Sequence, residues 1–208
     1  MENEQIKKYL KAAREAEISE NYSDAEKYYD LARLEAPDCA EARFYYAYSR
    51  FMNCKNKDAY NYFMDIRTVI GSITKLIAES DIEQDEKNDL LGRMTISVIP
   101  LPKIINNILN RLNSGTQNAY FSQIKSVEKN GMATLYLFGD QIEKYFGNDK
   151  SLLEKTAVKL WKAGVELQQQ WWGVGLDKSY PEKYTAKIQK FDPTYTMPKR
   201  GGCISFKQ

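Results

Sequence analysis

Histidine is absent from this chain of 208 residues. Its absence excludes serine or cysteine nucleophiles that use a histidine base, histidine acid–base catalysis and metal sites built on imidazole. The phosphate-binding patterns GxxxxGK[ST] and GxGxxG are missing as well. The acidic stretch 81–89 lacks the central glycine and final glutamate of a calcium loop. We therefore expect a protein that is not an enzyme and that binds no cofactor or metal.

Cysteine and long apolar runs are also scarce. Cys39, Cys54 and Cys203 are odd in number and form no CxxC pair, which favours a reducing compartment. The first residues, MENEQIKKYLKAAREAE, are charged throughout and lack the apolar core of a signal peptide. No window holds 18 uninterrupted apolar residues. These features predict a cytoplasmic protein that does not bind a membrane.

The chain has no excess of one charge over its folded part. Residues 1–80 hold 12 basic and 14 acidic side chains, residues 81–180 hold 12 of each, and residues 181–208 hold 6 and 2. A nucleic-acid-binding protein usually shows a basic stripe that neutralises phosphates. We therefore expect no nucleic-acid partner. The hydrophobic share of 43% and only 17 glycines and prolines indicate a folded globular chain.

An internal repeat organises the first third of the chain. A shift of 34 residues places Ala13 on Ala47, Asp24 on Asp58, Ala25 on Ala59, Tyr28 on Tyr62, Tyr29 on Phe63 and Ala32 on Ile66. Small residues at this spacing let two antiparallel helices approach closely, while an aromatic ring fills the neighbouring gap. The same spacing of alanine and tyrosine also occurs in an ordinary pair of amphipathic helical hairpins, which remains the alternative interpretation.

Over roughly residues 6–73 the sequence resembles the tetratricopeptide repeat family. Ala16, Arg43, Arg50 and Gly71 depart from the family pattern, so we expect two repeats and no third. The resemblance implies an all-α fold with helical hairpins in a right-handed solenoid over residues 1–75. We expect a helical extension over residues 76–192 that packs on the repeats, and an extended, flexible tail over residues 193–208.

Three capping boxes predict helix starts, with Ser23 and Glu26, Ser80 and Glu83, and Ser151 and Glu154 as their members. The last of them opens a predicted helix over residues 151–172. One face of that helix is expected to be buried and carries Leu153, Ala157, Leu160, Trp161, Gly164, Leu167 and Trp171.

The end of the chain resembles the tail of certain bacterial tetratricopeptide-containing proteins of unknown role. The matching residues are Asp192-Pro193, Tyr195, Pro198 and Gly201-Gly202-Cys203. The resemblance implies a bacterial source and no catalysis. In those relatives the cysteine opens a small apolar box, whereas here the run CISFKQ is short and becomes polar after four residues. The sequence gives no role for Cys203.

The groove-facing positions of the two repeats are the candidate binding residues. They are Leu10, Arg14, Phe44, Tyr45, Tyr48, Phe51 and Met52, with Lys7, Glu17 and Glu41 beside them. Aromatic and methionine side chains are frequent in binding hot spots. The lysine and asparagines of the chaperone-type carboxylate clamp are absent as a set, although Arg14 suits an acidic ligand. The sequence thus favours an adaptor or scaffold that binds a protein or peptide through its concave surface. The alternative is a structural protein that self-associates into a homo-oligomer and fills the groove with its own later helices.

Overall fold

The computed structural model describes residues 4–55, 58–112, 117–171, 177 and 179–199, and only the backbone of residues 117–122. That part of the chain contains ten helices and no strand, so the expected all-α class is confirmed. The helices are α1 (Glu4–Ile18), α2 (Tyr22–Glu35), α3 (Ala40–Asn53), α4 (Ala59–Glu79), α5 (Gln84–Val98), α6 (Leu101–Leu112), α7 (Gln117–Phe146), α8 (Lys150–Lys155), α9 (Ala157–Gln170) and α10 (Tyr180–Gln189).

The helices form two compact units. The first unit comprises Met1–Met94 and Lys103–Gly115, and the second comprises Thr95–Pro102 and Thr116–Gln208. The first therefore holds α1 to α4, most of α5 and most of α6. The second holds the ends of those two helices and α7 to α10.

In the first unit, α1 to α4 pack in chain order, each on the next. The Tyr29 hydroxyl in α2 donates a hydrogen bond to Glu17 in α1 (2.9 Å). The Tyr29 ring stacks on Tyr45 in α3 at 5.4 Å between ring centroids. The rings of Phe51 in α3 and Phe63 in α4 lie 6.3 Å apart. Tyr29 and Tyr45, and likewise Phe51 and Phe63, lie at similar distances from the short connection between their helices, as expected for antiparallel neighbours.

Residues that the 34-residue shift superposes occupy equivalent buried positions. Ala25 and Ala59 are both fully buried, at the starts of α2 and α4. One turn later, Tyr29 and Phe63 are also fully buried. Because these side chains match in size and position, the two helices of each hairpin can pack against each other in the same way.

All three predicted helix starts are wrong, and two of them lie in the first unit. The N-cap of α2 is Asn21, not Ser23: the Asn21 side chain accepts a hydrogen bond from the backbone N–H of Asp24 (3.3 Å). Ser80 is the C-cap of the long helix α4, and α5 begins only at Gln84. Asparagine satisfies a free N–H at a helix start as well as serine does, so the capping-box pattern alone does not locate the start.

The predicted helix over residues 151–172 is two helices. Thr156 interrupts it with φ −125° and ψ −79°, and its hydroxyl donates to the carbonyl oxygen of Leu152 (2.6 Å). The N-cap of the first piece is Asp149, not Ser151. The predicted buried face is confirmed for Leu153, Ala157, Leu160, Trp161, Gly164 and Leu167, while Trp171 is half-buried.

Two glycines allow α7 and α9 to pack closely in the second unit. A Cβ atom added at Gly139 would lie 2.4 Å from Nε1 of Trp161, and one added at Gly164 would lie 2.6 Å from the ring of Tyr136. Both aromatic residues are buried. Each helix thus provides a glycine that receives a large ring from the other helix.

A single carboxylate joins three helices of the second unit. Asp140 in α7 accepts hydrogen bonds from Trp161 Nε1 in α9 (3.1 Å) and from the Tyr184 hydroxyl in α10 (2.8 Å). It also accepts from Lys187 Nζ in α10 (2.8 Å), whose ammonium lies 4.6 Å from the Trp161 ring centroid. Because these donors are satisfied by a charged acceptor, α7, α9 and α10 are held together by strong polar contacts as well as by packing.

Candidate functional site

Four of the seven predicted binding residues lie in the interior of the first unit. Phe44 and Phe51 have no exposed surface, Tyr45 is 1% exposed and Tyr48 is 8% exposed. These rings were predicted to face the groove of the two repeats, and the sequence left open whether later helices fill that groove. As the structure places them, they belong to the hydrophobic core of the helices that carry them.

The rings pack on one another and on the neighbouring helix. Phe44 meets Tyr45 edge to face at 4.9 Å between centroids, and Tyr45 stacks on Tyr29 of α2. Tyr48 meets Tyr22 of α2 edge to face at 6.2 Å. Aromatic pairs at these separations contribute stability beyond their buried area. The side chains that a partner can reach must therefore be other residues of the same helices.

The other three predicted residues are accessible. Leu10 and Met52 are half-buried, and the Arg14 side chain is 48% exposed. Arg93 in α5 is a further group near the predicted residues, since its guanidinium carbon is 5.5 Å from the centroid of the Tyr45 ring. Helix α5 belongs to the predicted helical extension, so one residue of that extension contacts an aromatic ring of α3.

Arg14, Glu41 and Arg93 form a charge cluster that joins α1, α3 and α5. Arg14 binds both carboxylate oxygens of Glu41, with 2.6 Å between Nε and Oε1. Arg93 donates from Nη1 to the same Oε1 (3.2 Å) and from Nε to Asp89 (3.0 Å). Glu41 is 8% exposed, whereas Arg14 is 48% and Arg93 is 33% exposed. A buried carboxylate thus orients two guanidinium groups that reach solvent.

The charge cluster holds all three groups in their ionised forms. Burial alone would raise the pKa of Glu41, but the hydrogen bond from Arg14 and the positive charges of Arg93 and Arg14 lower the pKa of Glu41 below its ordinary value. The hydrogen bond to Glu41 raises the pKa of Arg14. Burial opposes the charge of Arg93, yet the attraction of Glu41 raises the pKa of Arg93 overall.

The two guanidinium groups keep hydrogen-bonding capacity for a ligand. An arginine carries five N–H donors. Glu41 takes donors from both arginines, and Asp89 takes one more from Arg93. The Asp89 side chain is 70% exposed, and an exposed pair of this kind contributes little stability. A carboxylate or phosphate of a ligand can therefore replace Asp89 and use the remaining donors of both arginines.

Glu17 lies on the same helix as Arg14, and its pKa is shifted in the opposite direction to the pKa of Glu41. Burial raises the pKa of Glu17, and the hydrogen bond from the Tyr29 hydroxyl together with the charge of Arg93 only partly offsets it. The Tyr29 hydroxyl is buried as well, and burial raises the pKa of Tyr29. The site therefore combines a stabilised carboxylate, Glu41, with a carboxylate that is disfavoured in its ionised form, Glu17.

Sequence reasoning identified Arg14 and placed Glu17 and Glu41 at groove positions, but it missed Arg93. Arg93 is 52 residues from Glu41 and lies outside the 34-residue repeat. The only sign of Arg93 in the sequence is its position four residues after Asp89. The same spacing is found in ordinary ion pairs on a helix surface, so it does not single out Arg93. Cys203 lies outside the described residues.

The described residues contain neither a membrane-spanning helix nor a metal-binding cluster. No helix there is long and apolar enough to cross a membrane. No group of three or more cysteine, aspartate or glutamate side chains with the arrangement of a metal site occurs in that part of the chain. Comparisons with known proteins were equally negative, since no family model, curated protein or solved structure matches the chain.

Proposed function

We propose that this protein is a non-enzymatic adaptor whose first unit is a tetratricopeptide-like solenoid that binds an acidic, extended segment of a partner protein. The segment lies against α1, α3 and α5, where Arg14 and Arg93 bind its carboxylates. Leu10 and Met52 supply apolar contact beside them. The scarcity of cysteine pairs and the tail pattern fit a cytoplasmic adaptor of bacterial origin.

The repeat architecture is supported by the order of packing and by the matched burial. The helices α1 to α4 contact one another in chain order as antiparallel pairs. Ala25 and Ala59, and Tyr29 and Phe63, fill equivalent places in the two hairpins. Stacked hairpins of this kind form an extended binding surface from the first helix of each pair. Glu41 links α1, α3 and α5 through Arg14 and Arg93, which suits three successive helices of that surface.

The charge cluster is the observation that supports an acidic ligand. Arg14, Glu41 and Arg93 together hold two positive charges and one negative charge, and the negative one is buried. Both guanidinium groups are fixed before a ligand arrives, so little side-chain entropy is lost on binding. Planar guanidinium groups recognise carboxylates by paired hydrogen bonds. An acidic peptide in extended conformation presents carboxylates that suit these donors.

A peptide array tests this proposal. Short peptides of alternating glutamate and threonine are compared with peptides that carry glutamine in place of glutamate. The full chain is expected to bind the acidic series only. The variant Arg14→Gln, Glu41→Gln, Arg93→Gln removes the cluster without leaving a buried charge unpaired, and it is expected to lose that binding with an unchanged circular dichroism spectrum.

The matched control is Lys11→Gln, which also lowers the net charge by one unit on the exposed side of α1. It is expected to bind like the unchanged chain. Equal binding of the acidic and neutral peptides would mean that the arginines do not select carboxylates and would reject the proposal. Equal loss of binding in the control would mean that only general electrostatic attraction is at work.

Self-association is the second candidate function, and two apolar side chains favour it. Ile18 at the end of α1 is 83% exposed and Leu34 near the end of α2 is 64% exposed. Because Phe44 and Phe51 are buried, these exposed side chains are the apolar surface that suits a homo-oligomer that packs through its outer faces. Sedimentation velocity over a wide range of protein concentration tests self-association. A protein that stays monomeric at every concentration would exclude this candidate.

A further inference from the structure

The chain after α10 turns and lies along α9. We call residues Asp192 to Pro198 the strap. At its start the backbone N–H of Tyr195 donates to the carbonyl oxygen of Asp192 (3.0 Å). The Asp192 carboxylate accepts from the backbone N–H (3.2 Å) and the hydroxyl (2.7 Å) of Thr194. An aspartate that binds the backbone two residues later is typical of a turn.

Side chains of α9 hold the strap at two places. Lys162 donates to the Asp192 carboxylate (2.8 Å), and its ammonium lies 5.1 Å from the centroid of the Tyr195 ring. The buried side-chain amide of Gln169 donates to the sulfur of Met197 (3.2 Å). One lysine therefore binds the acidic and aromatic residues of the strap, and one glutamine binds its methionine.

The strap contacts residues of α9 that are spaced along one face of that helix. Lys162, Glu166 and Gln169 follow one another at four and three residues, so they lie on one stripe of α9. From Lys162 to Gln169 the helix rises about 10 Å, and an extended chain from Asp192 to Met197 spans at most about 18 Å. The strap thus has enough length to run along the stripe after its initial turn. It runs in the same direction as α9, because Asp192 lies at Lys162 and Met197 lies at Gln169.

The strap is held weakly compared with the helices. Pro193, Thr194 and Thr196 are exposed, and Met197 is 37% exposed. The contacts with α9 are between side chains, and Gln189 of α10 adds a hydrogen bond to the carbonyl oxygen of Tyr195 (3.0 Å). A segment with few buried apolar contacts opens at low free energy without unfolding the rest of a protein.

The Tyr195 hydroxyl shows that the fit is incomplete. Its oxygen is inaccessible to solvent and finds no hydrogen-bond partner among the described residues. Burial and the charge of Glu166 raise the pKa of Tyr195 to about 12. A buried hydroxyl without a partner weakens the contact, so a phenyl ring would suit this place better than the phenol.

We propose that the stripe Lys162, Glu166 and Gln169 is a peptide-binding surface on α9, occupied in this chain by its own strap. The external ligand is an extended peptide of a partner protein that places an acidic residue, an aromatic ring three positions later and a methionine two positions after that. Such a peptide displaces the strap and adopts its register. This binding surface lies in the second unit, and the proposal does not depend on the function assigned to the first.

A synthetic peptide with the sequence KFDPTYTMPK, residues 190–199, tests the proposal. It carries a fluorescent label and is titrated with the full chain and with the variant Asp192→Asn, Tyr195→Ala, Met197→Ala, which releases the strap. Because the strap competes with the peptide, the released variant is expected to bind at least about tenfold more tightly than the unchanged chain. Adding Lys162→Ala is expected to remove that gain. A peptide with phenylalanine in place of the tyrosine is expected to bind more tightly still.

The control variant is Thr196→Ala, which changes an exposed strap residue and is expected to leave peptide binding as it is in the unchanged chain. Equal peptide affinity of the released variant and the unchanged chain overturns the proposal. So does a gain that persists with Lys162→Ala. A second measurement needs no variant: hydrogen exchange at the Tyr195 amide of the unchanged chain, which donates to the carbonyl oxygen of Asp192, is expected to accelerate when the phenylalanine peptide is added. Unchanged exchange at saturating peptide contradicts the proposal.

Discussion

Arg14 in α1 and Glu41 in α3 form a two-point ion pair across 27 residues of sequence, and the carboxylate of that pair is almost fully buried. The pair joins the first helices of two successive hairpins directly. Arg93 in α5 binds the same carboxylate from a third helix. Glu41 therefore connects three helices and orients two arginines that reach solvent.

Replacing Glu41 with glutamine is expected to destabilise the protein by about 1–3 kcal/mol, because two partly buried guanidinium groups lose their shared counter-charge. The loss is smaller than for a fully buried pair, since Arg14 remains half-exposed. The midpoint of urea unfolding at pH 7 measures it. Glu79→Gln removes an exposed carboxylate that pairs with Lys75 and is expected to cost under about 0.5 kcal/mol. Equal costs for the two substitutions would contradict the structural role of Glu41.

The contribution of Glu41 is expected to depend on pH with a definite sign. Its folded-state pKa is lower than the ordinary value of 4.5, so its ionised form stabilises the folded state at neutral pH. That stability is present above pH 4.5 and is lost as the pH falls through the folded-state pKa. The difference in melting temperature between the unchanged chain and Glu41→Gln should therefore shrink in acid. A difference that stays constant from pH 7 down to pH values well under 4.5 would show that the charge of Glu41 is not the cause.

Glu17 is expected to respond in the opposite direction. Its folded-state pKa is raised by burial, so ionisation at neutral pH weakens the folded state. The stability of the protonated form is present below the ordinary pKa of 4.5 and is lost as the pH rises through the folded-state value. Glu17→Gln keeps an oxygen that accepts from Tyr29 and should raise the melting temperature at pH 7. The gain should fade below pH 4.5.

The exposed residue Glu15 on the same helix provides the control for that substitution. Glu15→Gln is expected to leave the melting temperature nearly unchanged at both pH values. If Glu17→Gln lowers the melting temperature at pH 7, the negative charge of Glu17 is needed in the fold and the predicted direction is wrong.

The sequence predicted the all-α class because its signals are local. The alanine positions and the aromatic positions repeat at 34 residues, and helix periodicity places Leu160, Trp161 and Gly164 on one face. Helix starts were harder to place, since Asn21 caps α2 although Ser23 and Glu26 fit the usual pattern. Several polar residues near a helix start satisfy the same backbone donors, and the choice among them depends on tertiary packing.

The candidate site was only partly predictable. The spacing of Phe44, Tyr45, Tyr48 and Phe51 predicts that the rings lie together, but it does not show whether another helix covers them. The rings are buried against one another and against α2 and α4, and Arg93 reaches Tyr45 from α5. A contact between residues 52 positions apart leaves no periodic signal in one sequence. The arginine pair therefore required the structure.

The close approach of α7 and α9 predicts a strong effect of adding one methyl group. Gly139→Ala and Gly164→Ala place a Cβ inside van der Waals contact with Trp161 and Tyr136, and each is expected to cost about 1–3 kcal/mol. Gly92→Ala in α5 is the matched control, because nothing lies within 4 Å of its added Cβ. It is expected to gain about 0.5–1 kcal/mol from helix propensity. Chemical denaturation compares the three variants, and a stabilising Gly139→Ala would contradict the packing of Trp161 against α7.

Nuclear magnetic resonance of the full chain, labelled at the arginine side chains, tests most directly whether the charge cluster binds an acidic ligand. The ligand is the peptide of alternating glutamate and threonine, and its glutamine counterpart is the control. We expect the Nε–Hε signals of Arg14 and Arg93 to shift in a saturable manner with the acidic peptide and to stay in place with the neutral one. Signals of Arg33 and Arg50, which lie over Tyr46 and Tyr62, should not move. Saturable shifts confined to other arginines, or none at all, would contradict the account.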